Sequence, residues 1–328
     1  MEGQTIRAVG LFSGGLDSLL AARVLMDQDI EILALTFESP FYGPENALQA
    51  ALQIGVPVEV RTVTERMLRI VEAPEHGYGK NLNPCVDCHA MMMREAGMRM
   101  DEIGASFIFT GEVLGQRPFS QNYRALLHVA EISGYGEWIV RPLSAKLLPT
   151  TRPEAEGKVD RERLLDIQGR SRRRQMALAA EFGIREYASP AGGCCLTDPG
   201  YSGRLRDLLE HEGRLVSRAV ELLKLGRHFR LGEQTKGIVG RRQAENESLE
   251  KLRKPEDALL EVVSHPGPVV LVIGPYGEAD IQRGAELAVR YSDAPRGEKA
   301  EVDVDQAGEK STVTAMAADD ELLHRLRI

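Results

Sequence analysis

The chain has 328 residues, long enough for two or three domains, and 43% of them are hydrophobic, which suits a globular protein with a sizeable buried core. No long uncharged apolar run could cross a membrane, and the charged, glycine-containing start runs into the first strand with no secretion signal, so a cytoplasmic protein is expected. A net charge of −8 confines any nucleic-acid contact to local basic patches.

The run Ala8-Val9-Gly10-Leu11-Phe12 reads as a buried strand and 18–25 as an amphipathic helix, with Ser13-Gly14-Gly15-Leu16-Asp17 between them. A strand, a glycine turn and a helix start predict an anion site. The amides of Gly14, Gly15 and Leu16 can point at a phosphate together with the positive end of the helix dipole, and Ser13 and Ser18 add hydroxyl donors. Asp17 would repel a bare phosphate, so its presence implies a magnesium ion between the two. The spelling is neither Gly-x-x-x-x-Gly-Lys-Ser/Thr nor a dinucleotide fingerprint.

A second buried strand is expected over 30–37, ending at Phe37, followed by a helix over 44–54, a third strand over 58–63 and a helix from Glu65. The run 105–111 gives a fourth strand, and 138–144 a last one. Strands alternating with helices at this spacing predict an α/β fold with a doubly wound parallel sheet, whose ligands sit at the carboxyl ends of the strands. The glycine turn, the segment after Phe37 and the polar segment 110–121 all fall on that edge.

Four cysteines form two tight groups, Cys85-Val86-Asp87-Cys88 and Cys194-Cys195, the second behind Ser189-Pro190-Ala191-Gly192-Gly193. In a reducing compartment this points to metal or sulfur chemistry instead of disulfides. The first group is expected just before a helix starting near Ala90, where helix-end amides stabilise thiolates. Three cysteines around one point can hold a [4Fe-4S] cluster with one iron open, whereas four favour structural zinc. Successive side chains in an extended segment point opposite ways, so Cys85, Cys88 and Cys194 are taken as the ligands, with Cys195 the alternative for the third. A persulfide on one cysteine, resolved by another, is a competing route without a cluster.

The stretch 160–182 is expected to be helical, with Arg170, Arg172, Arg173 and Arg174 dense enough to grip RNA phosphates without reading bases. A helical linker is expected over 201–225. Beyond it, 226–328 reads as a small α+β unit with strands in 236–241 and 268–273, helical turns over 246–252 and 280–291, and an acidic, solvated edge over 298–309.

The spelling Ser13-Gly14-Gly15-x-Asp17-Ser18 resembles the pyrophosphate loop of the N-type ATP pyrophosphatases, or PP-loop enzymes, which split ATP between the α- and β-phosphates. The segment Thr110-Gly111-Glu112 through Gln116 to Ser120-Gln121 resembles one in the 4-thiouridine synthetases, and the resemblance extends over roughly residues 6 to 210. It implies that Ser13, Gly14, Gly15, Asp17, Ser18, Phe37, Gly111, Gln116 and Gln121 line a site for ATP and Mg2+, residues 1–200 forming the adenylating domain. An iron–sulfur-dependent subgroup of tRNA thiolases pairs a C-x-x-C with one distant cysteine, which implies a [4Fe-4S] cluster on Cys85, Cys88 and Cys194. The C-terminal unit, 226–328, resembles the small RNA-binding domain of the NFACT proteins.

These resemblances imply an ATP-dependent tRNA uridine thiolase that adenylates a uracil carbonyl oxygen and replaces it with sulfur, with Asp17, Cys85, Cys88 and Cys194 as its catalytic residues. The sulfur donor would be inorganic sulfide or a persulfide carrier. The alternatives are persulfide-based thiolation without a cluster, an amide-forming PP-loop ligase with structural zinc, and a non-catalytic RNA-binding protein. The oligomeric state stays open, a homodimer being one possibility.

Overall fold

A computed structural model describes residues 5–188 and 193–328, and the chain divides into two compact units, Met1–Asp198 and Pro199–Ile328. Among the described residues no helix is long and apolar enough to cross a membrane.

In the first unit the elements run β1 (Arg7–Leu11), α1 (Leu16–Met26), β2 (Glu31–Glu38), α2 (Glu45–Ile54), β3 (Val58–Thr62), α3 (Thr64–Glu72), α4 (Cys85–Ile103), β4 (Phe107–Thr110), α5 (Tyr123–Ser133), β5 (Ile139–Val140), α6 (Arg152–Ala155) and α7 (Arg173–Glu181). The strands form one sheet in the order β3-β2-β1-β4-β5. Every neighbouring pair is parallel, Val9 pairing with Leu33 on one side and Ile108 on the other. Such a sheet is covered by helices, which explains why β4 is buried along its whole length. The α/β class is as expected. The strand order reverses beside β1, so the loops after β1 and β4 open at a topological switch point.

Three local readings differ. The stretch 160–182 is not one helix: Arg161–Arg163 is a 3-10 turn and α7 starts only at Arg173. Between them Leu165 and Ile167 donate backbone hydrogen bonds to Pro142 and Leu143, at 2.9 and 2.8 Å, so pairing with that segment replaces helical bonding. The helix expected near Ala90 begins at Cys85, which places both cysteines of the C-x-x-C in its first turn. The last strand shrinks to Ile139–Val140.

The second unit contains α8 (Pro199–Glu212), α9 (Ser217–Leu222), β6 (Arg227–Arg230), β7 (Lys236–Val239), α10 (Gln243–Leu252), β8 (Ala258–Val262), β9 (Val270–Ile273), α11 (Glu278–Arg290), β10 (Lys299–Gln306), β11 (Glu309–Met316) and α12 (Asp320–Leu326). Its sheet has the order β11-β10-β8-β9-β7-β6 with every pair antiparallel. Period-two alternation splits the core between two faces: Val270 and Val272 pack with Ile281, Ala285 and Ala288 of α11, while Leu271 packs with Leu222 and Leu249. The stretch 201–225, read as a helical linker, is helical in α8 and α9, and both helices belong to this unit. The acidic stretch 298–309 forms most of the hairpin β10–β11 at the sheet's edge, with Glu301 and Asp303 exposed as expected and Ala300, Val302 and Val304 pointing inward.

Candidate functional site

The turn after β1 is shaped by its neighbours. Gly14 has φ +73°, and a Cβ there would lie 2.1 Å from the carbonyl oxygen of Asn46 at the start of α2, so only glycine fits. Gly15 is the N-cap of α1 in extended backbone, and its amide donates to Ser13 Oγ at 3.4 Å. Ser18, buried one turn in, directs its hydroxyl proton to the Gly15 carbonyl at 2.8 Å, so it closes the turn and keeps only lone pairs for a ligand. The first amides of α1 have no intrahelical partner and face the turn with the helix dipole behind them.

The segment after β4 completes this cradle. A Cβ on Gly111 would fall 2.5 Å from the Ser18 amide nitrogen, so the glycine lets the two loops meet. Gln116 donates from Nε2 to Asp17 Oδ2 at 2.9 Å. Asp17 Oδ1, Gln116 Oε1 and Gln121 Oε1 are buried without a hydrogen-bond partner among the described residues. A buried carboxylate oxygen with no donor is costly unless something cationic meets it, and a hard oxygen donor beside a phosphate cradle fits Mg2+. Phe37 is buried at the end of β2.

The cysteines come together on the same side. Asn83 donates to Cys85 Sγ at 3.0 Å, and no disulfide involves any of the four thiols. Burial first, then the sulfurs of Cys194 and Cys85, push the Cys88 thiol far above its ordinary value. Burial, with Cys195 and Cys85 adding to it, pushes Cys194 up to about 12. The Tyr42 hydroxyl lies against Cys88 without forming a full hydrogen bond. Three half-buried cysteines whose sulfurs lie close enough to influence one another are a soft donor set, which fits an iron–sulfur cluster or zinc. Cys194 is the member of the second pair that faces Cys85 and Cys88. The following turn, Cys195–Thr197, is anchored by Cys195 N–H donating to Phe41 O at 3.1 Å and by Asn81 donating to Thr197 O at 2.8 Å.

The segment that leads to Cys194 reaches the phosphate turn at Ala188. Ala188 forms a parallel bridge with Gly15, so the chain leaves the phosphate cradle only a few residues before Cys194. The intervening Ser189-Pro190-Ala191-Gly192 lie outside the described residues.

One buried network escaped the sequence reading. Glu112 accepts from Arg141 Nε at 2.9 Å and from Thr110 Oγ1 at 3.2 Å, and its other oxygen lies 3.0 Å from His89 Nδ1. Burial alone would raise the Glu112 pKa, but Arg141 and His89 overcome it and hold the carboxyl down at about 2. His89 follows Cys88 in α4, so this cluster braces the cysteine helix against the 110–121 segment. The acidic residue of that segment and a lone arginine at the end of β5 were the only signals.

Leu114 bridges Gln168, and Gly169 N–H donates to Leu114 O at 2.7 Å, which brings the arginine stretch to the rim of the cradle. Arg170 and Arg173 are exposed, Arg172 is half-buried, and Arg174 is exposed and pairs with Asp166 at 2.6 Å. They do not share a helix face, because Arg170 precedes α7 and Arg172 caps it. In the second unit several basic residues are neutralised: Asp207 receives Arg230 and Lys236, and Glu245 receives Arg241 at 2.7 Å.

Residues 3–146 match the family model described as thiamine biosynthesis protein (ThiI), and residues 226–326 match that of the NFACT protein RNA binding domain. The two matches fall on separate parts of the chain, and neither spans half of it. Among curated proteins it is similar to a tRNA-specific 2-thiouridylase MnmA of Geobacter metallireducens, 30% identical over 32% of this chain and 34% of that one. A probable tRNA sulfurtransferase of Caldanaerobacter subterraneus is 25% identical, over 49% of this chain and 51% of that one. The chain spans 37% and 41% of the length of two further MnmA relatives, from Rhodopseudomonas palustris and Nitrobacter winogradskyi, at 26% and 25% identity. A solved 4-thiouridine synthetase–RNA complex with bound ATP superposes with a TM-score of 0.33 at 20% identity, covering 54% of this chain and 51% of that one, a likeness too loose to carry an argument.

Proposed function

We propose that the chain is an ATP-dependent tRNA uridine thiolase, with residues 1–200 as the adenylating and sulfur-inserting domain and 226–328 as an RNA-binding domain. The observation that supports this reading is that Gly15 of the phosphate cradle bridges Ala188, six positions before Cys194 in the sequence, while Cys194 lies near Cys85 and Cys88. A phosphate loop alone fits any adenylating enzyme. Soft sulfur ligands at its edge fit one that inserts sulfur.

In this reading ATP lies with its phosphates on the amides of Gly14, Gly15 and Leu16, and Asp17 holds Mg2+ against them. A uracil carbonyl oxygen attacks the α-phosphorus, the bond to the β-phosphate oxygen breaks, and pyrophosphate leaves into the positive field of the α1 N-terminus. Sulfide then adds to the ring carbon, and the carbon–oxygen bond breaks to release AMP. Gln116 fixes the Asp17 carboxylate, while Glu112 and Arg141 fix the segment that carries Gln116 and Gln121. Cys85, Cys88 and Cys194 would hold a [4Fe-4S] cluster, which when bound would supply an open iron site that keeps hydrosulfide deprotonated and dry. Persulfide transfer between two of these cysteines, without a cluster, is the second reading.

The test is to follow AMP and pyrophosphate from ATP under anaerobic conditions, with sulfide, and with tRNA or a panel of small carboxylic acids as acceptor. AMP release that requires tRNA supports the thiolase. AMP release with a small acid and no tRNA would replace it with an amide-forming ligase.

A further inference from the structure

Helix α7 packs on α1, and the two helices begin at the same end. At the near end, Gln168–Gly169 pair with Leu114, and Gln116 two residues further on bonds Asp17 in the first turn of α1. At the far end Arg23, in the last turn of α1, lies over the ring of Phe182, the C-cap of α7, at 5.3 Å. The N-terminus of α7 therefore opens on the same side as that of the phosphate cradle, and its N-cap, Arg172, makes no side-chain capping bond.

Gln175 lies in the first turn of α7 with no exposed surface, and both its amide oxygen and its amide nitrogen lack a partner. Arg172 Nε, one turn earlier, is also buried and unpartnered. Gln175 shares the packed face of α7 with Ala179, one turn further on, and because helical side chains lean toward the N-terminus its amide is carried toward the opening at the start of the helix. The Gln175 amide nitrogen, Arg172 Nε and the free helix amides form a donor set that meets no acceptor among the described residues.

We infer that the N-terminus of α7, through Arg172 and Gln175, is a second phosphate site that takes the terminal phosphates of the nucleotide and then the departing pyrophosphate. The inference rests on the ATP-dependent reading above and divides the arginine stretch. Arg172 turns inward to polyphosphate, while exposed Arg170 and Arg173 are left for RNA. It also answers an electrostatic need: Asp17 adds negative charge to a cradle that must release a polyanion, and two helix dipoles with one guanidinium counter it.

The experiment uses the full chain and its Gln175→Met, Gln175→Glu and Arg172→Met variants, titrated by calorimetry with Mg-ATP, Mg-pyrophosphate and AMP, with tRNA retention measured alongside. The expected result is at least tenfold weaker binding of ATP and pyrophosphate in all three variants, with AMP affinity within about twofold of the parent, since AMP lacks the groups this site would hold. Gln175→Met is also expected to melt no lower than the parent without ligand, because methionine fills the same space without an orphaned amide. Undiminished pyrophosphate and ATP binding in the variants would overturn the inference, as would an equal loss of AMP. Loss of tRNA retention with ATP binding intact would overturn it too and assign these groups to RNA. A parent chain that binds neither ATP nor pyrophosphate would remove the ATP-dependent reading as well.

Discussion

Gln116 donates a hydrogen bond of 2.9 Å to Asp17 across a separation of 99 residues, and no other donor meets that carboxylate among the described residues. The segment after β4 thereby sets the orientation of the one acidic group in the phosphate cradle. A hydrogen bond to a charged group contributes about 1.5–3 kcal/mol. Gln116→Ala is expected to weaken Mg-ATP binding by roughly tenfold or more. Calorimetric titration of Mg-ATP against the variant checks it, and unchanged affinity would detach Gln116 from the metal site.

The two glycines of the turn are expected to behave differently. Gly14→Ala places a methyl against Asn46 backbone at a positive φ, so it should cost roughly 1–3 kcal/mol of stability and disrupt the turn. Gly15→Ala meets nothing nearer than Ser13 Oγ at 3.4 Å and should fold normally. Thermal melting of both variants separates the cases. Equal melting temperatures would mean that α2 moves aside.

Glu112 gives the fold an acid-sensitive element. Its carboxyl is held at about 2 in the folded chain against an ordinary value near 4.5, so its contribution is fully present above about pH 4.5 and is lost as pH falls toward 2. By linkage that contribution is on the order of 3 kcal/mol. Glu112→Gln would leave Arg141 buried without a counter-charge and should destabilise by about 3–5 kcal/mol at neutral pH. Urea midpoints for parent and variant between pH 2 and 6 check the sign: the parent should lose stability over that window and the variant should not lose this part.

The cysteines separate by position. Cys194→Ala is expected to abolish iron and acid-labile sulfide uptake on anaerobic reconstitution, and Cys195→Ala to retain both, because Cys194 faces Cys85 and Cys88. Retention of both in Cys194→Ala with loss in Cys195→Ala would exchange their roles. Zinc taken up instead of iron by the parent would remove the cluster from the proposal.

What could be read in the sequence was what is local in it. The apolar run 8–12, the paired glycines and Asp17 lie within ten residues, and the alternation of strands and helices sufficed for the α/β class. The start of α7 was not legible, because buried Leu164 and Ile167 stand three apart, a helical spacing, yet Leu165 and Ile167 bond to the segment after β5. The hairpin β10–β11 was masked by its own charges: Glu301, Asp303 and Asp305 suggested a solvated edge, while the alternate Ala300, Val302 and Val304 filled the core. Glu112, His89 and Arg141 are 23 and 29 positions apart in sequence, and no local pattern announces a network that only the sheet assembles.

The measurement that bears most directly on the central claim is mass spectrometry of nucleosides from tRNA incubated anaerobically with reconstituted protein, ATP and sulfide, beside a Cys88→Ala variant. The account predicts a thiouridine product with the parent, formed one for one with AMP, and none with Cys88→Ala despite unchanged ATP binding. No thionucleoside from the parent, or equal thiolation by Cys88→Ala, would contradict it.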